Sequence, residues 1–520
     1  MGAVMRRAVL GLATAVVLAS SAGAQVWRSD QGDGSYVNPP LNADYPDPDI
    51  IRVGENFYFA STTFANVPGL TLLTSKDLVN WDILSHLVPK LDDLPLYDLA
   101  KGGAYRKGIY APSLRYRDGV FYVAVTPVDQ NTRIYSARDP KGPWTHVELN
   151  KEAFDPALFF DDDGSAYLAS AVGSDGTITL HMLDRDATRI ESSKVIYFNK
   201  GAEGSKILKR KGFYYLFNSI PNRLGLTVSR ARSLFGPWET RNQIDDTTGG
   251  HQGALVDLPN GDYYGFVMLD AGSIGRVTNI SPIFWQDDWP VWGTPEAPGR
   301  VPARAVKPIQ GQPFGEPPSY DDFSGATLGR QWQWNHNPVD RRWSLSERPG
   351  YLRLHATTAS DLWTARNTLV QKAQGPRARG TAKLDLAGIR PGDVCGFGTF
   401  GKYSAQLAVV GGKDGRNSLT MRLVESTNEG PKTDVRAAAV PIRARTLWLR
   451  TDTDFGKDIG SVGYSLDGKV WRDIGGTFPL EFAWQTGTFQ GEQLALSCYN
   501  PTMAGGYLDI DSFTLSPLAP

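Results

Sequence analysis

Asp47, Asp155 and Glu203 each open a segment of similar layout, and carboxylates set on either side of one bond are the equipment for cleaving a glycosidic linkage. One carboxyl must carry a proton to release the leaving alcohol. Another must be ionised to take a proton from water. A third can tune the acid. Carboxylates borne on separate elements can stand far enough apart to admit a water, which suits inversion. An isolated Asp-Pro reads as a turn. Three acidic residues in one register of a repeat crowd like charges together, which marks a site rather than a scaffold.

The repeat behind that register has five members. They begin Tyr45-Pro46-Asp47, Tyr110-Ala111-Pro112, Phe154-Asp155-Pro156, Ala202-Glu203-Gly204 and His251-Gln252-Gly253. Each continues as an apolar strand, a glycine-containing turn and an aromatic strand. Turn clusters such as Pro140-Lys141-Gly142-Pro143-Trp144 and Phe235-Gly236-Pro237-Trp238 close the units. The aligned positions Asp47, Ala111, Asp155, Glu203 and Gln252 are separated by 64, 44, 48 and 49 residues. That is about the length of a four-stranded propeller blade. Five units across Ser35–Lys307 predict a five-bladed β-propeller, whose innermost strands would set the aligned residues around one axis. Strict alternation puts Asp49 on the same face as Asp47, while Asp161, Asp162 and Asp163 read as solvated turn residues.

The remaining chain changes style. Pro308, Pro313, Pro317 and Pro318 mark a linker over 308–319. From Tyr320 onward, alternating strands and turns predict an antiparallel β-sandwich over 320–520. The expected fold is therefore all-β, with a propeller over 25–307. Residues 1–24 read as a signal peptide: Arg6 and Arg7, an apolar stretch, then Ala22-Gly23-Ala24 before Gln25. Export to the periplasm or the extracellular space follows from that reading. Of the chain's two cysteines, Cys395 and Cys498, export permits a disulfide. A net charge of −1 supplies no basic field for nucleic acid or an acidic membrane surface, and no second segment suggests membrane insertion. With six scattered histidines and no Cys-x-x-Cys, zinc is not expected. The 14 Trp, 21 Tyr and 22 Phe suit both β-sheet cores and the flat faces of sugars.

These residues resemble glycoside hydrolase family 43, specifically its two-domain members with a C-terminal β-sandwich. The resemblance covers nearly the whole mature chain. It rests on Tyr45–Asp49, Ser61-Thr62-Thr63-Phe64, Ser75-Lys76-Asp77-Leu78-Val79-Asn80-Trp81, Tyr110-Ala111-Pro112, Asp155–Gly164 and Glu203-Gly204. It implies inversion, with Asp47 as general base, Asp155 as the carboxylate that modulates the acid, and Glu203 as general acid. It also implies that Arg276 binds a sugar hydroxyl and that Phe64 and Tyr110 wall the pocket. Many xylosidase-like relatives carry Trp where this chain has Tyr110. Phe489 resembles a residue that the sandwich sends over the active-site mouth. No cofactor is required, but His251 matches a histidine that in several members helps hold a calcium ion near the axis, usually through water. The expected activity is exo-acting release of terminal xylose or arabinofuranose from hemicellulose oligosaccharides. An arabinanase of the same fold, a non-catalytic carbohydrate-binding propeller and a protein-interaction propeller are the alternatives.

Overall fold

Glycine-turn hairpins of apolar and aromatic strands build five sheets in succession around one axis. The computed structural model describes residues 25–518 other than 93, 101, 172, 222–224, 246–249, 438 and 504; the expected signal peptide lies outside them. Blade I is formed by Asp49–Val53, Asn56–Ser61, Gly69–Ser75 and Trp81–Val88, and blade II by Ser113–Arg117, Val120–Val125, Arg133–Ala137 and Thr145–Glu148. Blade III comprises Phe154–Phe160, Ala166–Ala171, Thr177–Leu183 and Ile190–Phe198; blade IV comprises Glu203–Arg210, Phe213–Ile220, Gly225–Ala231 and Glu239–Asp245. Blade V has five strands, from His251–Asp257 to Ala297–Pro298. All pairings within the blades are antiparallel, as short hairpin turns require.

Side chains close the ring. Phe57 and Trp81 of blade I share one buried cluster with Phe217 of blade IV and Trp292 of blade V. Ser35–Val37 pairs with Arg304–Val306, tying the beginning of the propeller to its end. Lys307 is buried and ion-paired with Asp30 and with Asp77, the latter at 2.9 Å. Asp77 is itself the pivot of the Ser75–Trp81 turn, where its carboxylate accepts the Val79 and Asn80 N–H groups. Ser465, Asp467 and Trp471 form a similar turn in the second unit, Asp467 accepting the Lys469 and Val470 N–H groups.

That second unit is two sheets packed face to face, antiparallel except where Thr357–Thr358 runs parallel to Gln493–Asn500. One has eight strands, including Arg377–Asp385, Thr446–Asp454 and Tyr507–Pro517; the other has ten, including Val394–Phe400, Tyr403–Gly411 and Gln493–Asn500. Alternate residues such as Leu384, Leu449 and Phe513 meet Phe397, Leu407 and Leu496 in one core. Cys395 and Cys498 lie opposite each other on adjacent strands and form a disulfide. The ten-stranded sheet does not end within its own unit. Its last strand is Asn66–Val67, from blade I, paired with Trp334 and Asn335. The connection between blades I and II also docks there: the Tyr105 hydroxyl donates to the Trp363 carbonyl at 2.5 Å, and the Ala104 N–H donates to His336 Nε2 at 2.7 Å. Burial, aided by Arg366, pushes the His336 pKa down to about 3, so this nitrogen is a neutral acceptor.

Candidate active site

The first strands of the blades enter the axis through a repeated kink. In blades III, IV and V the strand pairing slips by one residue immediately after Phe154, Glu203 and His251. The next residue takes a left-handed conformation: φ is 46° at Asp155, 57° at Gly204 and 48° at Gln252. Asp47 and Ala111 share it, with φ of 54° and 47°. These are β-bulges, which re-aim side chains beside sites. They also correct the sequence register. Gly204, rather than Glu203, is the structural equivalent of Asp47, Ala111, Asp155 and Gln252. Glu203 stands one residue earlier, where blade III has Phe154 and blade V has His251. A side chain on Gly204 would press on Gln252 at 3.1 Å, so glycine there leaves room for the neighbouring blade.

The bulges bring Asp47, Asp155 and Glu203 to one cavity of about 530 Å³, together with Phe64, Tyr110, His251, Arg276 and Phe489. All eight residues expected at the site line it. Asp47 is fixed from two sides. The Thr62 hydroxyl donates to its Oδ2 at 2.6 Å, and Arg276 Nη1 donates to its Oδ1 at 3.0 Å. Thr62 is held in turn by the Ala111 N–H at 2.7 Å, so the base of the cavity is cross-braced between blades I and II. Asp49 does not join them. The left-handed turn at Asp47 breaks the alternation, and Asp49 accepts instead from Arg115 and the Leu114 N–H, both at 2.8 Å. Asp161 also departs from its expected solvated state: it is ion-paired with Lys209 and accepts from the Tyr214 hydroxyl at 2.6 Å.

Asp155 is the electrostatic centre. Burial, and then the charges of Glu203 and Asp47, push its pKa well above the ordinary carboxylate range; Lys206 and the Gly204 N–H oppose the rise. A carboxyl whose folded pKa is raised stabilises the fold while protonated. That contribution is lost as pH climbs from the ordinary value near 3.8 through the raised one. Asp155→Asn keeps an acceptor for the Gly204 N–H and removes the buried charge. It should therefore melt higher than the wild type at neutral pH and lose that advantage below pH 4, measured by calorimetry across pH.

Arg276 links the carboxylates to the sandwich. Its N–H donates to Asp44 Oδ1 at 2.8 Å, and its Nη2 donates to the Phe489 carbonyl at 3.3 Å. The Phe489 ring lies 4.3 Å from the guanidinium carbon and 5.2 Å from the Phe64 ring. Phe489 thus faces the cavity rather than packing inside its own unit. The close approach depends on Gly275 and Gly491, since a Cβ on Gly275 would fall 2.6 Å from the Gly491 Cα. Tyr110 stacks beside Phe64 at 6.0 Å, and burial raises its pKa.

Both ring nitrogens of His251 face protein groups. Its Nδ1 is 3.3 Å from the Ser219 hydroxyl and its Nε2 is 3.2 Å from Asp270 Oδ1. Burial works against the Asp270 carboxylate, but His251, followed by the more distant Arg276 charge, holds its pKa below the usual value. Among the described residues, no group of three His, Cys, Asp or Glu side chains is arranged to hold a metal ion.

Asp270, Gln252, Arg106, Phe482 and Trp484 also line the cavity. Gln252 was visible in the repeat. The others lie on strand ends and loops with no periodic signal.

The model of glycosyl hydrolases family 43 matches residues 36–290, and that of a beta-xylosidase C-terminal concanavalin A-like domain matches residues 320–516. A beta-xylosidase of Formosa agariphila is 31% identical, the match covering 93% of this chain and 91% of the relative. The chain belongs to glycoside hydrolase family 43. This family 43 protein is accordingly a glycoside hydrolase of the inverting type. It is also similar to a non-reducing end alpha-L-arabinofuranosidase of Bacteroides ovatus, at 32% identity over 62% of this chain and 65% of that one. Among solved structures, a bifunctional GH43-CE protein of Bacteroides eggerthii superposes with a TM-score of 0.85 at 32% identity, covering 93% of this chain and 64% of that longer one.

In this family 43 hydrolase the sandwich supplies one wall of the cavity, so the wall can be tested by truncation. Phe489→Ala should raise KM for pentose oligosaccharides about tenfold or more, given the ~1.5–3 kcal/mol carried by a buried aromatic side chain. Short aryl glycosides should be affected less. Melting should shift little, because the ring packs on cavity walls rather than in a core.

Proposed function

We propose that this protein is an exo-acting pentosidase that removes terminal xylose or arabinofuranose from hemicellulose oligosaccharides. The observation that carries the reading is the convergence of Asp47, Asp155 and Glu203 in one cavity walled by Phe64, Tyr110 and Phe489. The beta-xylosidase and arabinofuranosidase names of similar proteins support the substrate class. The apolar stretch before Gln25 supports export to the periplasm or beyond, where such oligosaccharides occur. Among the described residues no helix is long and apolar enough to cross a membrane.

In the proposed reaction Asp47 accepts a proton from water as the water oxygen bonds to the anomeric carbon. Glu203 gives a proton to the glycosidic oxygen as the carbon–oxygen bond breaks. Asp155 acts on both through charge. Thr62 and Arg276 hold the Asp47 carboxylate in one orientation, which limits the geometry in which water can be activated. Arg276 also presents its guanidinium to the same space as the sugar, where it can donate to a ring hydroxyl. The chemistry assigned to these residues uses carboxylates and water alone.

A panel of aryl pentosides with product analysis tests the reading. Release of pentose from an aryl β-xyloside or an aryl α-arabinofuranoside is expected, and proton NMR should show the inverted anomer first. Activity on internal linkages of a long arabinan, without release from either aryl pentoside, would overturn it.

A further inference from the structure

The cavity has an outer half that the proposed chemistry leaves unused. At its inner end Asp47, Phe64 and Arg276 are no more than 5% exposed. Outward, Phe489 and Phe482 are half-buried, and Trp484 is 57% exposed. The rings follow one another at spacings of 5.2 Å from Phe64 to Phe489, 6.0 Å from Phe489 to Phe482 and 6.3 Å from Phe489 to Trp484. They form a continuous aromatic wall, contributed mostly by the sandwich, that runs from the carboxylates to the opening.

The blade side of the opening carries Arg106 and Val128. Arg106 is exposed, yet its backbone is not a loose loop. It has a φ of 64°, follows the anchored Tyr105, and is spanned by the hydrogen bond from the Lys107 N–H to the Ala104 carbonyl at 2.8 Å. Two residues later Gly108 packs so closely that a Cβ would fall 2.3 Å from the Phe64 carbonyl oxygen. The chain therefore fixes where the Arg106 side chain starts.

The charges of the cavity are unevenly matched. Arg276 is paired with Asp47, His251 lies against Asp270, and nearby Lys107 is paired with Asp129 at 3.7 Å. Among the described residues, Arg106 has neither a hydrogen-bond nor an ion-pair partner. It is a planar guanidinium at the mouth of a cavity lined by Asp47, Asp155, Glu203 and Asp270. An anionic ligand would be repelled by that inner field unless its charge stayed at the mouth, beside a cation.

We propose that this outer half is a leaving-group subsite for acidic oligosaccharides, in which the sugar next to the scissile bond lies on the Phe482–Trp484 wall and a uronic acid substituent places its carboxylate on Arg106. The fork of the guanidinium matches a carboxylate with two parallel N–H donors, and aromatic rings suit the C–H face of a sugar. This deepens the pentosidase reading and rests on it for the orientation of the substrate.

Calorimetry on the full-length Glu203→Ala protein tests the proposal with turnover of the sugar probes slowed about 10²–10⁴-fold. The two probes are xylotriose and xylotriose bearing a glucuronic acid on its middle residue. The acidic probe should bind about 2- to 5-fold tighter, the range set by an exposed charge pair. The difference should shrink in 0.5 M salt. Adding Arg106→Gln should remove it, and Arg106→Lys should keep part of it, since the charge remains but the fork is lost. Comparing two ligands on one protein cancels any general effect of a substitution on folding. Equal binding of the two probes, or a preference that survives Arg106→Gln, overturns the subsite. Hydrolysis of aryl pentosides by the wild type reports on the pentosidase reading separately, so the two failures are distinguishable.

Discussion

Glu203→Ala should hydrolyse a dinitrophenyl pentoside at a substantial fraction of the wild-type rate while losing about 10²–10⁴-fold on a pentose disaccharide. The reason lies in the leaving group. A sugar alkoxide is too basic to depart without a proton, whereas a dinitrophenolate departs almost unaided. A residue that only donates that proton matters in proportion to the need. The alkaline limb of the pH–rate profile, set by loss of the donor's proton, should also vanish in the variant. Steady-state kinetics on both substrates across pH checks this. Equal losses on the two substrates would assign Glu203 another role, and unchanged activity on the disaccharide would remove it from the reaction.

Asp47→Asn should lose about 10²–10⁴-fold on both substrates alike. Water must be activated whatever departs, so a better leaving group gives no relief. The amide is nearly the shape of the carboxylate and can still accept from Arg276 Nη1. It cannot take a proton from water, however, and it leaves the buried Arg276 guanidinium without its 3.0 Å counter-charge. A measurable fall in melting temperature should accompany the kinetic loss, unlike in Glu203→Ala, where a half-buried group is removed. If Asp47→Asn spares the dinitrophenyl substrate as Glu203→Ala is expected to, the roles of the two residues are reversed.

Much of this architecture can be read before folding, because blades announce themselves. Each needs a strand, a glycine turn and an aromatic strand, and Gly54 and Gly119 indeed sit at positive φ between paired strands. The acidic character of the axis was legible from Asp47, Asp155 and Glu203 for the same reason. What alternation could not supply was the bulge. A single extra residue moves a side chain from one face to the other. That is why alternation places Asp49 with Asp47 although it turns to Arg115, and why the repeat aligns Glu203 with positions its neighbour Gly204 occupies. Phe489 and Arg276 were reachable only through resemblance to a family. Arg106, Asp270 and Trp484 carry no signal at all, and Trp484 joins the cavity only when the sandwich closes over the propeller. The 377 residues between Arg106 and Trp484 hold no periodicity that could report that meeting.

The strand Asn66–Val67 has a bearing on how such enzymes can be cut and recombined. It is donated by the catalytic unit but hydrogen-bonded as the last member of the neighbouring unit's sheet. A propeller expressed without residues 320–520 would carry this strand with no pairing partner, near a Tyr105 stripped of its Trp363 contact and newly open to water. An unpaired strand edge flanked by apolar surface is a template for pairing with another chain. The two units should therefore be treated as one exchangeable cassette. Chimeras joined at the proline-rich stretch should stay soluble only when the incoming sandwich offers an acceptor edge like that of Trp334 and Asn335. Swapping the C-terminal unit for a plain carbohydrate-binding module would remove both that edge and the aromatic side of the substrate pocket.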